Sequence, residues 1–181
     1  KVFPGLERLS PLKEEIARLA SSAARSLARA HVDRARADAA LLPETAFLAA
    51  LSETGPDPLA LAERFGATPL QAMRRLAGIP AVQAGLVTCD GSGTLTFRKP
   101  ATGFPLPRFG SACPLWPLYA ALGRPMQAFE ARVQMAGQSD RRHRVIAWAE
   151  TRHPQGLRGP ELREAAMLIL PLAAVGVLRH G

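Results

Sequence analysis

Apolar positions recur three and four apart in the first part of this chain and two apart in the second. A helix-forming region is therefore followed by a strand-forming one. Leu12, Ile16, Leu19, Ala20, Ala23 and Leu27 mark one face of a helix. Ser10 can cap it, Pro11 suits the first helical position, and Glu14 and Glu15 favour the positive end of the dipole. The pattern runs toward Leu41, with a break near Ser21 and Ser22. Pro43 then opens a short helix carrying Phe47, Leu48 and Leu51.

Two more short helices are predicted downstream. Asp57 caps the first, Pro58 follows the cap, Leu59, Leu61 and Phe65 form its apolar side, and Gly66 ends it. Thr68-Pro69-Leu70-Gln71 is a capping box with a proline inside, so it starts a helix through Met73 and Leu76 that stops at Gly78 and Pro80.

At Gly85 the period changes. Leu86 to Cys89 reads as a strand, Asp90-Gly91-Ser92-Gly93 as a turn, and Thr94 to Arg98 as the returning strand. A loop rich in proline and glycine spans 100–110, and Trp116 to Leu122 reads as a short helix. Phe129 to Met135, a turn at Gly137 to Asp140, and His143 to Thr151 form a second hairpin. It places Val145, Ala147 and Ala149 on one face and Ile146 and Trp148 on the other. For Glu161 to Leu170 periodicity leaves helix and strand both open. The expected fold class is α+β: a helical segment over 1–80, then a small antiparallel sheet with a short helix over 81–181.

Composition narrows the function classes. The net charge is +8, from twenty arginines and three lysines. That balance suits an anionic partner, although GC-rich coding also displaces lysine by arginine. The longest apolar stretch, Ala165 to Leu178, is interrupted by Pro171 and falls short of a membrane span. Two cysteines, Cys89 and Cys113, make no disulfide framework, which fits a reducing cytoplasm. A chain opening on Lys1 without a signal sequence reads as a piece of a longer protein.

The motifs of catalysis are missing: no HExxH, no GxSxG and no P-loop. The four histidines are scattered and the carboxylates mostly sit beside arginines, so no acid–base pair and no metal site is expected, and the chain does not read as an enzyme. Residues 57–79 resemble a helix-turn-helix with Arg74 and Arg75 exposed on the second helix, where they could contact DNA. A plain helical hairpin is the commoner explanation. Residues 95–119 gather cations (Arg98, Lys99, Arg108) with aromatics (Phe97, Phe104, Phe109, Trp116, Tyr119) around a Cys-Pro. Cations suit phosphates, and rings suit an adenine or an acyl chain. Core packing beneath the proline-rich loop would use the same rings.

The order Arg98-Lys99, Gly103-Phe104, Arg108-Phe109-Gly110, Cys113-Pro114-Leu115-Trp116 and Arg124-Pro125 is similar to the C-terminal region of the short-chain fatty acyl-CoA transcriptional regulators. Ala39-Ala40-Leu41-Leu42-Pro43 with Phe47, and Leu61 to Gly66 with Arg75-Leu76, resemble that family's upstream segments. The likeness runs from about residue 8 to 170. It implies a longer cytoplasmic regulator with an XRE-type DNA-binding helix-turn-helix ahead of this region. It also implies a degenerate peptidase-like helical middle, and control of propionate or acetate genes by a short-chain acyl-CoA. On that reading 81–181 is the ligand-sensing domain, with Arg98, Lys99 and Arg108 toward phosphates and Phe104, Trp116 and Tyr119 lining the acyl or adenine seat. The 1–80 segment would link and pair copies as a homodimer or higher oligomer. Members with a C-terminal cysteine cluster imply an iron–sulfur role for Cys113, but two cysteines fall short of the four thiolates such a cluster uses, so none is expected in this stretch. The family's Ala-Arg-Thr reads Ala149-Glu150-Thr151, which removes a phosphate-compatible charge. Two other functions compete with sensing: a scaffold for oligomerisation with a vestigial pocket, and a direct DNA contact from helices 57–79.

Overall fold

The structure is a computed structural model describing residues 9–107, 112–134 and 142–172. The predicted turn at Gly137 to Asp140 lies outside those residues.

The first helical pattern forms two helices, α1 (Leu9–Ala17) and α2 (Ser22–Leu41). The break falls where the two serines lie, and Ser21 caps α2 by accepting from the Ala24 amide at 3.1 Å. Three short helices follow: α3 (Glu44–Thr54), α4 (Pro58–Phe65) and α5 (Pro69–Gly78). Their ends follow the local chemistry. Asp57 accepts from the Leu59 and Ala60 amides, and Gly66 leaves α4 at φ 60°, a left-handed conformation suited to glycine. Thr68 and Gln71 bond reciprocally at the start of α5.

The second half folds as β1 (Gly85–Asp90), β2 (Leu95–Lys99), α6 (Pro117–Gly123), β3 (Phe129–Gln134), β4 (Arg142–Arg152) and β5 (Leu162–Pro171). All pairings are antiparallel and the strand order is β2-β1-β5-β4-β3. The α+β class is as expected from the sequence. The segment that periodicity left open is therefore the central strand. Ala165 to Leu170 are all buried, because β5 is covered on both faces. A strand buried twice has no alternation to read.

Even and odd positions along the strands feed two cores. On one face Leu86, Ile146, Trp148, Ala166, Leu168 and Leu170 pack against Leu42, Phe47, Leu61, Leu70, Met73 and Leu76 of the helices. On the other, Val87, Cys89, Val145, Ala147, Met167 and Ile169 pack against Phe104, Leu118 and Ala121. The sheet is thus the middle of three layers, with α3–α5 on one side and α6 with the 101–107 loop on the other. The segments 1–80 and 81–181 share the first of these interiors. No helix among the described residues is long and apolar enough to cross a membrane.

Candidate functional site

The candidate residues are distributed by strand alternation. Arg98 stands opposite Val87 on the β1–β2 ladder, and Lys99 opposite Leu86, so neighbouring cations leave the sheet on opposite sides. Arg98 is exposed on the α6 side. Lys99 turns to the helical side, where its ammonium donates to the carbonyls of Ala77 and Ala84, the latter at 2.9 Å. Burial pulls its pKa below the ordinary lysine range. Its structural task is to hold the end of α5 on the sheet.

Three of the candidate aromatics lie on the α6 side. Phe104 is 2 % exposed, with its ring 5.6 Å from Trp116 and 5.3 Å from the His143 imidazole. It fills the core. Trp116 is half-buried against it. Tyr119, at the start of α6, stands over the β1–β2 turn. Its hydroxyl accepts from the Ala112 amide at 3.1 Å and donates to the Gly93 carbonyl at 3.3 Å. Gly93 has φ 82°, and a Cβ there would lie 3.0 Å from the Tyr119 ring. Glycine is needed for both the turn and the approach. The turn is braced by Asp90, which accepts from the Ser92 hydroxyl and from the Ser92 and Thr94 amides. These bonds, chiefly that from the Ser92 hydroxyl, hold the Asp90 carboxyl below its usual pKa.

Between turn and loop is an open cleft of about 270 Å³ lined by Ser92, Gly93, Ala112, Pro114 and Tyr119. Cys113, adjacent to this lining in sequence, is exposed. Cys89 is buried on β1, where desolvation and the nearby Asp90 push its thiol from the ordinary 9.0 to about 11. No group of His, Cys, Asp and Glu among the described residues is arranged to hold a metal ion. Of the six predicted ligand contacts, Tyr119 lines the cleft, Arg98 shares its side of the sheet, and Trp116 and Phe104 pack behind. Lys99 points away, and Arg108 lies outside the described residues.

The arginines of the helix pair differ from the sequence expectation. Arg75 is 8 % exposed and donates to the Leu42 carbonyl at 3.0 Å, with Glu44 at 3.7 Å. Arg74 forms a two-pronged ion pair with Asp38 of α2, at 2.6 and 3.1 Å. Exposure of both on a recognition helix is corrected: the amphipathic face of α5 turns them inward to tie α2 and α3 down.

Three features escaped sequence reasoning. Glu150, read as a lost phosphate-compatible charge, accepts from the Leu70 amide at 3.3 Å at the positive end of α5. His143 is buried; because a carbonyl only accepts, its Nε2 donates to Thr102 O at 3.0 Å, and its Nδ1 has no partner among the described residues. The alternation through Val145 and Ala147 carried the signal for that inward histidine. The Asp38–Arg74 pair spans 36 positions, and nothing local announces it.

The chain was compared with known proteins. The sequence model described as "Short-chain fatty acyl coenzyme A regulator, C-terminal" matches residues 72–178, taking in α6 and the whole sheet. The "Propionyl-CoA carboxylase regulator" of Cereibacter sphaeroides is 40 % identical over 116 residues, 61 % of this chain and 25 % of that protein. The "HTH-type transcriptional regulator PrpR" of Mycobacterium tuberculosis is 32 % identical over 123 residues, 64 % of this chain and 25 % of that protein. A solved "Mycobacterium tuberculosis transcriptional regulator" superposes with a TM-score of 0.73 at 27 % identity, covering 93 % of this chain and 53 % of that one. The chain therefore spans about a quarter of the length of these curated relatives. With more than half of its residues matched by the family's own sequence model, it belongs to the short-chain fatty acyl coenzyme A regulator family.

Proposed function

We propose that this chain is the effector-sensing part of a bacterial transcription regulator of short-chain fatty acid metabolism, and that it binds a short-chain acyl-CoA rather than catalysing a reaction. The observation that carries the reading is the cleft between the β1–β2 turn and the Cys113-Pro114 loop, floored by Tyr119 and on the same side of the sheet as Arg98. A guanidinium suits the phosphates of such a ligand, and an aromatic floor suits its acyl chain or adenine. Family membership supports the ligand class, the names of both curated relatives support gene regulation, and that of the Cereibacter sphaeroides relative supports a link to propionyl-CoA. DNA would be read by another part of the whole protein, in the bacterial cytoplasm. Binding would favour one of two arrangements of sheet and helices, and α2 would pass that preference on through its ties to α5 and β5.

Calorimetry of the 181-residue chain with propionyl-CoA and acetyl-CoA tests this. Binding is expected, weakened at least tenfold in Tyr119→Ala and Arg98→Ala variants that keep their circular dichroism. A folded chain that takes up neither ligand at millimolar concentration refutes the reading. A second reading, a scaffold with a vestigial pocket, is favoured by the tight packing of Phe104 and the internal bonds of Lys99. It expects no ligand heat and self-association sensitive to Leu19→Asp. A direct DNA contact by α5 would require Arg74 to leave Asp38 and Arg75 to leave Leu42.

A further inference from the structure

The two edges of the sheet are built differently. On β2 the ladder to β1 shifts register between Thr88 and Cys89, and the chain beyond β2 is tied by the Ala101–Phe104 bridge. Bulges and covering loops are devices that keep an edge from pairing with another chain. β3 has neither. Its six residues pair with β4 without a register shift, and among the described residues no strand lies on its other side. Phe129, Ala131 and Val133 on its α6 face are only half-buried, while Glu130, Arg132 and Gln134 on the other face are exposed.

We propose that β3 pairs antiparallel with β3 of a second copy, about a two-fold axis through Ala131, joining two five-stranded sheets into one. The register follows from the sequence Phe129-Glu130-Ala131-Arg132-Val133. Paired residues in a sheet share a face, so apolar odd positions must meet odd ones and polar even positions even ones. That requirement leaves axes through single residues. An axis at Glu130 sets two carboxylates against each other, and one at Arg132 sets two guanidiniums together. The axis at Ala131 alone pairs Glu130 with Arg132 of the other copy, twice, and Phe129 with Val133, twice.

The charges within one chain also favour this. Arg132 stands directly opposite Arg144 on β4, a like-charge pairing that is unfavourable in a sheet. Glu130 reaches diagonally to Arg144 with both carboxylate oxygens, at 2.6 and 2.8 Å, which holds its pKa below the usual carboxylate range. The second copy's Glu130 stands directly opposite Arg132, an opposite charge to set against the like charge that Arg132 faces on β4. Such a contact is isologous and closes at two copies.

A strand pair is small beside the roughly 1,000 Å² of a tight interface, so dimerisation is expected to depend on concentration. Sedimentation velocity of the 181-residue chain over a series reaching roughly millimolar should show a monomer–dimer equilibrium. Arg132→Glu should raise the dimer dissociation constant at least tenfold while leaving circular dichroism unchanged. In a Cys113→Ser background, Ala131→Cys should cross-link on mild oxidation, because directly paired Cβ atoms lie about 4.5–5.5 Å apart. Leu19→Asp should leave the equilibrium as it is. A chain that stays monomeric throughout, or a dimer lost in Leu19→Asp yet unmoved by Arg132→Glu, overturns the proposal.

Discussion

Replacing Asp38 by alanine tests how much of the hold of α2 on the body of the protein comes from its ion pair with Arg74. Asp38 is 4 % exposed and takes both prongs of Arg74 at 2.6 and 3.1 Å. Removing one partner of a buried pair costs about 3–5 kcal/mol, mostly because the other charge is left in poor solvent. The Arg74 side chain is 21 % exposed, so water relieves part of that burden, and about 2–3 kcal/mol is the expected loss. For a chain of this length each kcal/mol moves the melting temperature by about 2–4 °C, which gives a drop of about 4–12 °C. Calorimetric or dichroic melting of Asp38→Ala, Arg74→Ala and the double variant closes a thermodynamic cycle. The coupling energy should be at least about 1 kcal/mol, and the double variant should be less damaged than the two single losses summed. A cycle closing with coupling below about 0.5 kcal/mol would refute the reasoning. Arg74 would then be free for other partners, and α2 would be held chiefly by the 3.1 Å contact of Arg34 with Glu164.

Other tests address the site and its surroundings. With the folded-state thiol of Cys89 raised to about 11, its stabilisation is complete below about pH 9 and lost as pH rises toward 11. Two pKa units correspond to about 3 kcal/mol, so the stability difference between wild type and Cys89→Ala should shrink by up to that amount across the window. An unchanged difference would show that the thiol ionises in the fold. At pH 8 a thiolate-directed alkylating agent should label Cys113 and spare Cys89 under native conditions, with mass spectrometry reading the site. Lys99→Met should cost about 1–3 kcal/mol in denaturant unfolding, since two carbonyls lose their donor, and an effect near zero would mean that water replaces the ammonium. Phe104→Ala should cost about 3–5 kcal/mol; a loss under about 1 kcal/mol would mark the ring as a mobile wall rather than core.

Local chemistry made much of the fold legible. Asp57, Thr68 with Gln71, and Gly66 set helix ends through contacts within a few residues, so the sequence displays them. The second hairpin was visible because one-sided burial imposes alternation, as in the contrast of Phe129, Ala131 and Val133 with Glu130, Arg132 and Gln134. β5 was ambiguous for the opposite reason: burial on both faces erases the pattern. The candidate site was less legible. Adjacent residues such as Arg98 and Lys99 look like one cationic pair in sequence, yet a strand sends them to opposite sides. Arg74 and Arg75 look exposed until Asp38 and Leu42 arrive from more than thirty residues away. The cleft itself is framed by small residues, Ser92, Gly93 and Ala112, whose value lies in the space they leave.

The strand order has a consequence for how the molecule comes into being. β1 and β2 form one hairpin, β3 and β4 begin another, and the two have no ladder in common until β5 slides between β1 and β4. On a ribosome, everything up to Arg152 is therefore made before the element that unites it. For that interval two ribbons wait with bare flanks, and the closing step must join Gly85 to Ile169, positions far apart along the polymer. Such closure is slow relative to helix formation. A polypeptide halted before Leu162 would possess nearly every segment of the mature molecule and still have no shared keystone around which to assemble them.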